Sequence, residues 1–454
     1  MNLENVHNVY FLGIGGIGMS ALARWFNHLG ISVSGYDKTQ SQLTRELEIE
    51  GIKICYKDSP ELIASRPDLV VITPAIPSNH RGRIWLEEQG IPFMKRAQVL
   101  GLLTSQKQTI AVAGTHGKTT TSTMVANILF NSHQSCTAFL GGVARNFETN
   151  LLIGNENSPW AVTEADEYDR SFLQLRPFIA IITAADADHL DIYGTHQEML
   201  SAFEEFINLI REGGTLILKK GTKLNPANST IRVWTYSLED DTADCYASNI
   251  RLKNGQYTFD LVTPKGKILG INPGVPARVN IENAVAACTA SYLAGATDDE
   301  IRDAMSKFKG IRRRFDVRIA TSELVYIDDY AHHPEEIKAL ITSVRDIYPN
   351  KKITGLFQPH LYSRTRDFAS EFAKSLDLLD EAVLLDLYPA RELPIPDISE
   401  QTIGQWMNKK VLYMDKSTVI EWLKSHTTEV LLTIGAGDID RLVEPIEELL
   451  TQRR

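Results

Sequence analysis

The chain has 454 residues, which is too long for one ordinary hydrophobic core, so two or three domains are expected. Its composition, 43% hydrophobic and 23% charged, is that of a globular protein, and no apolar run approaches the ~20 residues of a membrane span. A net charge of -10 argues against general nucleic-acid or membrane-surface binding. Four widely spaced cysteines and no signal-peptide pattern at the N-terminus predict a cytoplasmic enzyme with buried thiols.

A glycine-rich turn opens the first predicted βαβ unit. A short apolar strand from Val9 leads into Gly13-x-Gly15-x-x-Gly18, a helical stretch follows, and a second strand ends at Asp37. This pattern fits the dinucleotide fingerprint, in which a helix N-terminus faces a pyrophosphate. NAD is the straightforward ligand, but any diphosphate satisfies the same physics, and a purely structural role for the glycines stays open.

Two more strands, at 69–72 and 91–93, complete this first predicted sheet, which ends near 98–108. The first of them runs into a proline-rich loop that carries Ala75. Because α/β sheets bind ligands at the carboxyl ends of their strands, Ala75 is a candidate ligand contact.

The stretch from Ile110 to Thr121, IAVAGTHGKTTT, predicts a phosphate-binding loop between a strand and a helix. The loop is shorter than G-x-x-x-x-G-K-[ST], because Val112 stands where the first glycine would be. Glycine backbone N–H groups can approach phosphate oxygens, Lys118 supplies a charge between the terminal phosphates, and the Thr119 hydroxyl is placed to bind Mg²⁺. The candidate nucleotide-binding residues are Gly114, Thr115, His116, Gly117, Lys118, Thr119 and Thr120.

Acidic clusters follow the next two strands of this second α/β unit. The strand at 160–164 ends on Glu164, and the strand at 178–183 leads into a loop that carries His189. Oxygen or imidazole ligands beside a phosphate site suit an enzyme that uses a magnesium nucleotide. Solvated acidic loops are the alternative interpretation of each cluster taken alone.

Further along this unit we predict an amphipathic helix over 197–211, a hairpin at Lys253-Asn254-Gly255 and an alanine-rich helix over 280–293. Asn280 is a plausible N-cap of that helix. Asn280 and Asn283 are candidates for reading an adenine edge, and helix capping explains the spacing equally well.

The remainder of the chain reads as βα repeats, which predict a parallel sheet. The sequence GIRRRF at 310–315 looks like a hinge into it. Three predicted strand ends are followed by ionisable side chains or a glycine turn, which makes them candidate site segments: DDYAHHP at 328–334, QPHLYSRTRD at 358–367 and GAGD at 435–438.

Taken together, these segments favour phosphoryl transfer onto an acceptor that a separate domain holds. A hydride-transfer enzyme would not need the phosphate loop, and a GTPase switch would not need the other two segments. An NAD(P)-dependent oxidoreductase with a regulatory nucleotide domain remains the alternative from a different class.

The chain resembles the Mur ligases of peptidoglycan synthesis over essentially its full length. The motifs that carry the resemblance are GIGGIGMSALA (13–23), AGTHGKTTT (113–121), EADEYDRSF (164–172), DHLDIYG (188–194), GIRRRF (310–315), DDYAHHP (328–334), FQPHLYSRTRDF (357–368) and GAGD (435–438). The resemblance implies an α/β fold of three domains. These are an N-terminal Rossmann-like UDP-sugar-binding domain (1–107), a central P-loop α/β ATP-binding domain (108–312) and a C-terminal Rossmann-like, parallel-sheet amino-acid-binding domain (313–454).

The resemblance also implies the reaction. ATP, with Mg²⁺, phosphorylates the lactyl carboxylate of UDP-N-acetylmuramate, and the amine of L-alanine then displaces phosphate. GIGGIGMS and FQPH-x-YSRTRDF favour the alanine-adding member over the member that recycles muropeptide tripeptide. We expect a monomer or weak homodimer that binds no nucleic acid.

Site residues follow from the resemblance. Lys118, His189, Asp329, His332 and Arg364 are expected to be catalytic, and Thr119, Glu164 and His189 to bind metal. Asn283 is expected to contact adenine, and Arg314 phosphate. The expected substrate contacts are Gly13, Gly15, Gly16, Ile17, Gly18, Asp37, Ala75, Tyr330, His332 and Arg364. The sequence departs from the family pattern at Ala184, Val279 and Leu361, where asparagine, histidine and arginine are usual.

Overall fold

The computed structural model describes residues 5–63, 65–187, 190–390 and 392–453. Two compact units form. The first comprises the chain up to residue 250 together with 258–272 and 282–308, and the second comprises 251–257, 273–281 and 309 onward. Across the described ranges, no helix is long and apolar enough to cross a membrane. The α/β fold class predicted from the sequence is confirmed.

The first sheet of unit 1 is parallel throughout, in the order β3-β2-β1-β4-β5. Its strands in the described chain are β1 (Asn8–Leu12), β2 (Ser32–Tyr36), β3 (Lys53–Cys55), β4 (Leu69–Ile72) and β5 (Phe93–Lys95). Its helices are α1 (Ile17–His28), α2 (Gln42–Ile49), α3 (Arg81–Glu88) and α4 (Arg96–Ser105), with a 3₁₀ turn at Pro60–Leu62. The last strand begins later than predicted because Pro92 has no N–H for the ladder; its carbonyl accepts from Val70 N at 2.9 Å.

The second sheet has the order β15-β14-β13-β12-β11-β10-β6-β9-β7-β8. Its strands among the described residues are β6 (Gln108–Ala113), β7 (Thr137–Ala144), β8 (Thr149–Leu152), β9 (Trp160–Glu164), β10 (Ile179–Ile182), β11 (Thr215–Lys219), β12 (Arg232–Ser237), β13 (Cys245–Lys253), β14 (Gln256–Thr263) and β15 (Gly266–Ile271). Strand β6 lies between β9 and β10 and runs parallel to both. The loops that follow these three strands therefore emerge side by side.

The helices around this sheet are α5 (Lys118–Phe130), α6 (Leu190–Tyr193), α7 (His196–Asn208), α8 (Arg278–Leu293) and α9 (Asp298–Ser306), with a 3₁₀ segment at Tyr168–Gln174. Helix α8 begins at Arg278, so Asn280 lies inside its first turn and the expected N-cap role is wrong. The predicted hairpin is confirmed: Asn254 and Gly255, both with positive φ, join β13 to β14.

The first two sheets share one hydrophobic core within unit 1. Helix α1 packs against β7 and β8, with the rings of Trp25 and Phe139 5.7 Å apart. Hydrogen bonds also join α1 to β8. Asn150 of β8 accepts from Arg24 Nη1 at 2.5 Å and donates to the carbonyl of Ile17 at 2.6 Å. The glycine turn at the start of α1 is thus fixed by a side chain of the neighbouring sheet.

Unit 2 contains the third sheet, in the order β16-β17-β21-β18-β19-β20. Its described strands are β16 (Asp316–Ala320), β17 (Val325–Asp329), β18 (Ile353–Phe357), β19 (Glu381–Leu385), β20 (Val411–Met414) and β21 (Val430–Ile434). The helices are α10 (Pro334–Ile347), α11 (Tyr362–Asp367), α12 (Ala369–Leu376), α13 (Glu400–Gly404), α14 (Lys416–Ser425) and α15 (Val443–Gln452), with a 3₁₀ turn at Asp438–Leu442. The sheet is parallel except for the edge strand β16, which pairs antiparallel with β17 and was not predicted.

The four cysteines are free thiols. Cys136, Cys245 and Cys288 are buried, and burial raises the pKa of each of them. Cys55, at the end of β3, is half-buried. The buried thiols expected from the sequence are confirmed for three of the four cysteines.

Replacing Asn150 by alanine should destabilise unit 1. Asn150 is fully buried, and the substitution leaves the Ile17 carbonyl and the Arg24 guanidinium without this partner. We expect a loss of about 1–3 kcal/mol in the free energy of unfolding, measured with urea. Asn208→Ala, an exposed position at the end of α7, is the matched control and should change it by less than about 0.5 kcal/mol. Equal losses in both variants would contradict the bridging role of Asn150.

Candidate active site

The phosphate-type loop joins β6 to α5. Gly114 and Gly117 have φ angles of 131° and 80°, which favour glycine, and a Cβ on Gly117 would lie 2.8 Å from Asn283 Oδ1. Gly117 is the N-cap of α5, and no side chain caps the helix there. The N–H groups of the first turn therefore face a site where an anion is favoured.

Lys118 is held by the loop and by a buried carboxylate. Its Nζ donates to the Gly114 carbonyl at 2.7 Å and to Glu167 Oε1 at 2.8 Å. Glu167 is fully buried. Burial alone lowers the pKa of Lys118, but Glu167 and Glu164 outweigh it, and the pKa ends above its ordinary value. Lys118 is therefore a permanent cation at the mouth of the loop.

Thr119 and Glu164, two of the three expected metal ligands, lie together. The Thr119 hydroxyl donates to Glu164 Oε2 at 2.7 Å. A hydroxyl and a carboxylate are the oxygen ligands that Mg²⁺ prefers, and Mg²⁺ is commonly held by one or two carboxylates together with phosphates. Within the described ranges there is no group of three or more His, Cys, Asp or Glu side chains suited to a metal. His189, the third expected ligand, lies outside the described residues.

A glycine of β7 makes room for the Glu164 carboxylate. A Cβ on Gly141 would overlap the Glu164 carboxylate oxygens. Because β7 is the neighbour of β9 in the sheet, Gly141 sets where this carboxylate can stand. Sequence reasoning missed this residue, and a glycine in a strand pattern was the available signal.

The other loop residues form the walls of the same site. Thr115 N donates to the Ala184 carbonyl at 3.2 Å, so the unusual alanine keeps this backbone contact. The His116 carbonyl accepts from the Thr183 hydroxyl. Thr120 is half-buried in the first turn of α5. Asn283 Oδ1 accepts from Thr121 Oγ1 at 3.3 Å, which places Asn283 beside the loop.

The first glycine turn lies at the carboxyl edge of β1, β2 and β4. Gly13 N donates to the Tyr36 carbonyl at 2.8 Å, and Gly15 N donates to Asp37 Oδ2 at 2.8 Å. Gly16 caps α1 through its backbone without a side-chain bond, and Ile17 is the first helical residue. Ala75 is exposed on the loop after β4, which packs on Gly13 through Ile76.

Gly18 carries a contact that sequence reasoning missed. A Cβ on Gly18 would lie 2.9 Å from Nη1 of Arg96, the first residue of α4. Arg96 Nη2 donates to Asp166 Oδ2 at 3.2 Å, in the acidic segment that follows Glu164. Arg96 therefore links the glycine turn to the segment that carries the expected metal ligand.

In unit 2 the polar residues gather at the carboxyl ends of β17, β18 and β21. Asp329 accepts from Phe315 N at 2.6 Å and from Ala331 N at 2.7 Å. Burial raises the pKa of Asp329 to about 6, against the opposing effects of Arg314 and the two backbone donors. Its neighbour Asp328 is fully buried and accepts from the Thr433 hydroxyl at 2.7 Å.

Three further expected residues lie around Asp329. The guanidinium of Arg314 lies 5.0 Å from the ring centroid of Tyr330, which in turn packs edge-on against His332 at 5.2 Å. Burial lowers the pKa of His332 to about 4, with Arg364 and Arg314 acting in the same direction and Glu336 opposing. His332 is therefore a neutral imidazole at pH 7.

Arg364 lies in the short helix α11, whose entry is distorted. Leu361, where the family pattern has arginine, has a φ of 71°, a conformation that favours glycine. The next turn is anchored because Ser363 N donates to Glu392 Oε2 at 2.9 Å. Arg364 thus belongs to the same cluster as His332, as its effect on the His332 pKa indicates.

Comparison with known proteins identifies the family. The description "Mur ligase family, catalytic domain" matches residues 8–108, "Mur ligase middle domain" matches 112–291, and "Mur ligase, glutamate ligase domain" matches 313–437. The chain belongs to the Mur ligase family, and the resemblance found in the sequence is confirmed.

Individual relatives match over nearly the whole chain. It is 48% identical to UDP-N-acetylmuramate–L-alanine ligase of Phocaeicola vulgatus, covering 100% of both chains. It is 48% identical to the enzyme of that name from Porphyromonas gingivalis, over 97% of this chain and 98% of the relative. Among solved structures it is similar to UDP-N-acetylmuramate-alanine ligase MurC of Thermotoga maritima, with a TM-score of 0.85, 28% identity, and coverage of 98% of this chain and 100% of the other.

The pKa of Asp329 predicts a pH-dependent contribution to stability. The folded pKa, about 6, is above the ordinary value of 3.8, so this carboxyl's contribution is present below about pH 4 and is lost as the pH rises towards 6. Asp329→Asn removes this ionisation. Urea unfolding should therefore show the stability of the variant, relative to the wild type, rising between pH 4.5 and pH 7. A difference that stays constant with pH would contradict the assignment.

Proposed function

We propose that the chain is an ATP-dependent ligase that joins L-alanine to the lactyl carboxylate of UDP-N-acetylmuramate. One observation carries the proposal: a half-buried lysine, paired with a buried carboxylate, and a threonine–carboxylate pair meet at the uncapped N-terminus of α5. This arrangement suits transfer of a terminal phosphoryl group. The names of the full-length relatives supply the acceptor and the amino acid.

The first step is phosphorylation of the acceptor. A carboxylate is a poor electrophile and repels the anionic nucleotide, so the site must offset negative charge. In the proposal, the N–H groups of α5 and the Lys118 ammonium bind the terminal phosphates. The carboxylate oxygen of the acceptor attacks the γ-phosphorus, the bond from that phosphorus to the β–γ bridging oxygen breaks, and ADP leaves. Glu167 keeps the ammonium in position before the nucleotide arrives, and Asn283 contacts adenine.

Mg²⁺ is part of the proposal. Thr119 and Glu164 would hold it, with His189 as a further ligand, and when bound it would neutralise phosphate charge as a Lewis acid. The remaining contacts of the nucleotide fall to Gly114, Thr115, His116, Gly117 and Thr120. Arg314 contributes a second cation for the phosphates.

The second step joins the amino acid. The amine of L-alanine attacks the acyl phosphate, a tetrahedral intermediate forms, and phosphate leaves. Arg364 is suited to bind the amino-acid carboxylate, and neutral His332 has a lone pair with which to accept a proton from the attacking amine. Asp329, fixed by two backbone N–H groups, positions this loop and faces the ammonium form of the substrate.

The acceptor is assigned to the first glycine turn. The backbone N–H group of Ile17, at the start of α1, is suited to a diphosphate, whereas Gly16 N donates to the Gly13 carbonyl at 3.3 Å; the loop with Ala75 borders the same edge. Because the chain belongs to the Mur ligase family, NAD is not needed to explain the first glycine turn, and the NAD(P)-dependent oxidoreductase alternative is rejected. The tripeptide-recycling alternative is disfavoured because the relatives at 43–48% identity are named as alanine ligases.

The direct test is an assay of phosphate release from ATP. Release should require both UDP-N-acetylmuramate and L-alanine, and a new UDP-linked amide should appear by mass spectrometry. Release that is indifferent to the amino acid would overturn the proposal. A preference for the tripeptide L-Ala-γ-D-Glu-meso-diaminopimelate over alanine would assign the recycling activity instead.

Replacing Lys118 by alanine should separate turnover from acceptor binding. Removing a cation that meets the transferred phosphoryl group should lower kcat by at least about a hundredfold. The dissociation constant of UDP-N-acetylmuramate, measured by calorimetry without ATP, should change little because the glycine turn is intact. Lys307→Ala, an exposed lysine paired with Asp303, is the control and should keep full activity. Loss of acceptor binding in Lys118→Ala would contradict the assignment of separate sites.

A further inference from the structure

Arg96 has no role in the chemistry described so far, yet it stands between the two ligand-binding loops of unit 1. Its side chain lies over Gly18 on one side, and its Nη2 donates to Asp166 Oδ2 at 3.2 Å on the other. The side chain is 22% exposed and that of Asp166 is 38% exposed, so solvent reaches the pair. An ion pair in this setting contributes little to stability and can be exchanged for another partner.

The pair borders a small, partly open pocket. The acidic side chains of Glu164 and Asp166 line it, Leu100 and Phe172 form its apolar part, and Arg96 is the one basic residue among the described lining residues. The pocket thus runs from Arg96 to Glu164, whose carboxylate accepts from the Thr119 hydroxyl.

Charge decides what this pocket can accept. Glu164, Asp166 and Glu167 place three carboxyl groups within four residues, and Lys118 is already engaged with Glu167. A further carboxylate entering beside them would be repelled unless a cation received it. Arg96 is positioned to do so, and its five N–H donors in a planar fork match carboxylate geometry.

We propose that Arg96 holds the carboxylate of the acceptor and that Asp166 occupies this position while the acceptor is absent. The inference rests on the proposed function, because it assumes an acceptor that binds at the glycine turn and presents a carboxylate to the phosphate loop. Binding exchanges one carboxylate for another on the same guanidinium. Gly18 has no side chain because Arg96 must lie against it to reach the pocket.

The exchange links acceptor binding to the acidic segment. Asp166 Oδ1 accepts from Tyr168 N at 3.1 Å, and Asp166 lies two residues from Glu164 and next to Glu167. Release of Asp166 from Arg96 therefore acts on the segment that carries the proposed metal ligand and the partner of Lys118. Arg96 is a positioning residue for the acceptor and does not take part in bond formation.

The test compares two ligands that differ in the carboxylate. UDP-N-acetylmuramate carries the lactyl group, and UDP-N-acetylglucosamine lacks it. Dissociation constants are measured by calorimetry on the full chain without ATP. Arg96→Gln should weaken binding of UDP-N-acetylmuramate by about tenfold to hundredfold, the loss expected for one charge-assisted hydrogen-bonded pair, and should leave UDP-N-acetylglucosamine within about twofold.

Two further variants sharpen the result. Asp166→Asn removes the internal competitor, so UDP-N-acetylmuramate should bind more tightly than to the wild type while UDP-N-acetylglucosamine is unaffected. Lys95→Gln is the matched control. Lys95 precedes Arg96 and pairs with Asp169 at 3.2 Å, but it does not line the pocket, so both affinities should stay unchanged.

The outcomes separate this inference from the proposed function. An equal loss for both ligands in Arg96→Gln would assign Arg96 to the diphosphate or to the shape of the turn and overturn the proposal. Unchanged affinity for both, or weaker binding of UDP-N-acetylmuramate to Asp166→Asn, would also overturn it. If the wild type shows no alanine-dependent phosphate release, the proposed function fails by itself. The midpoint of thermal unfolding is measured for each variant and compared with that of the wild type, which checks that each variant is folded. Asp166→Asn is the smaller change of the two substitutions in the ion pair.

Discussion

The ion pair between half-buried Lys118 and fully buried Glu167 is the interaction around which unit 1 is arranged. Taking the Glu167 carboxylate out of water, and most of the Lys118 ammonium with it, is costly, and the short contact of 2.8 Å together with the Gly114 carbonyl offsets that cost. The pair therefore exists only if the loop after β6 and the segment after β9 are held side by side. The parallel pairing of β6 with β9 provides this, and Gly141 of β7 leaves room for the adjacent carboxylate.

The shared core of the first two sheets extends the same constraint to the glycine turn. Helix α1 contacts β7 and β8, and Asn150 binds the carbonyl of the first helical residue. Packed interiors deform little, so the two ligand-binding loops of unit 1 keep a fixed separation. An acceptor that reaches from one loop to the other then meets a preorganised site, which is how positioning accelerates a reaction between two bound groups.

Motif residues were predictable from the sequence because their chemistry and spacing are local. Apolar strand patterns precede the loop around Lys118, the Glu164 carboxylate, and the ionisable residues Asp329 and His332. The structure has a strand leading into each of these positions. Residues that act across the fold were not predictable. Arg96 lies 70 residues from Asp166, and only the tertiary structure brings them together. The start of one helix was mispredicted as well, since α8 begins two residues before Asn280.

The burial of the thiols has a practical consequence. Three cysteines are inaccessible and have raised pKa values, so thiol reagents should discriminate strongly between them and Cys55. The backbone of Cys55 accepts from Asp37 N at 3.0 Å, and Asp37 binds the glycine turn through Gly15 N. A fluorophore attached to this one thiol would sit two contacts away from the turn. The natural sequence thus offers a single labelling position from which occupancy of the first loop can be followed without engineering.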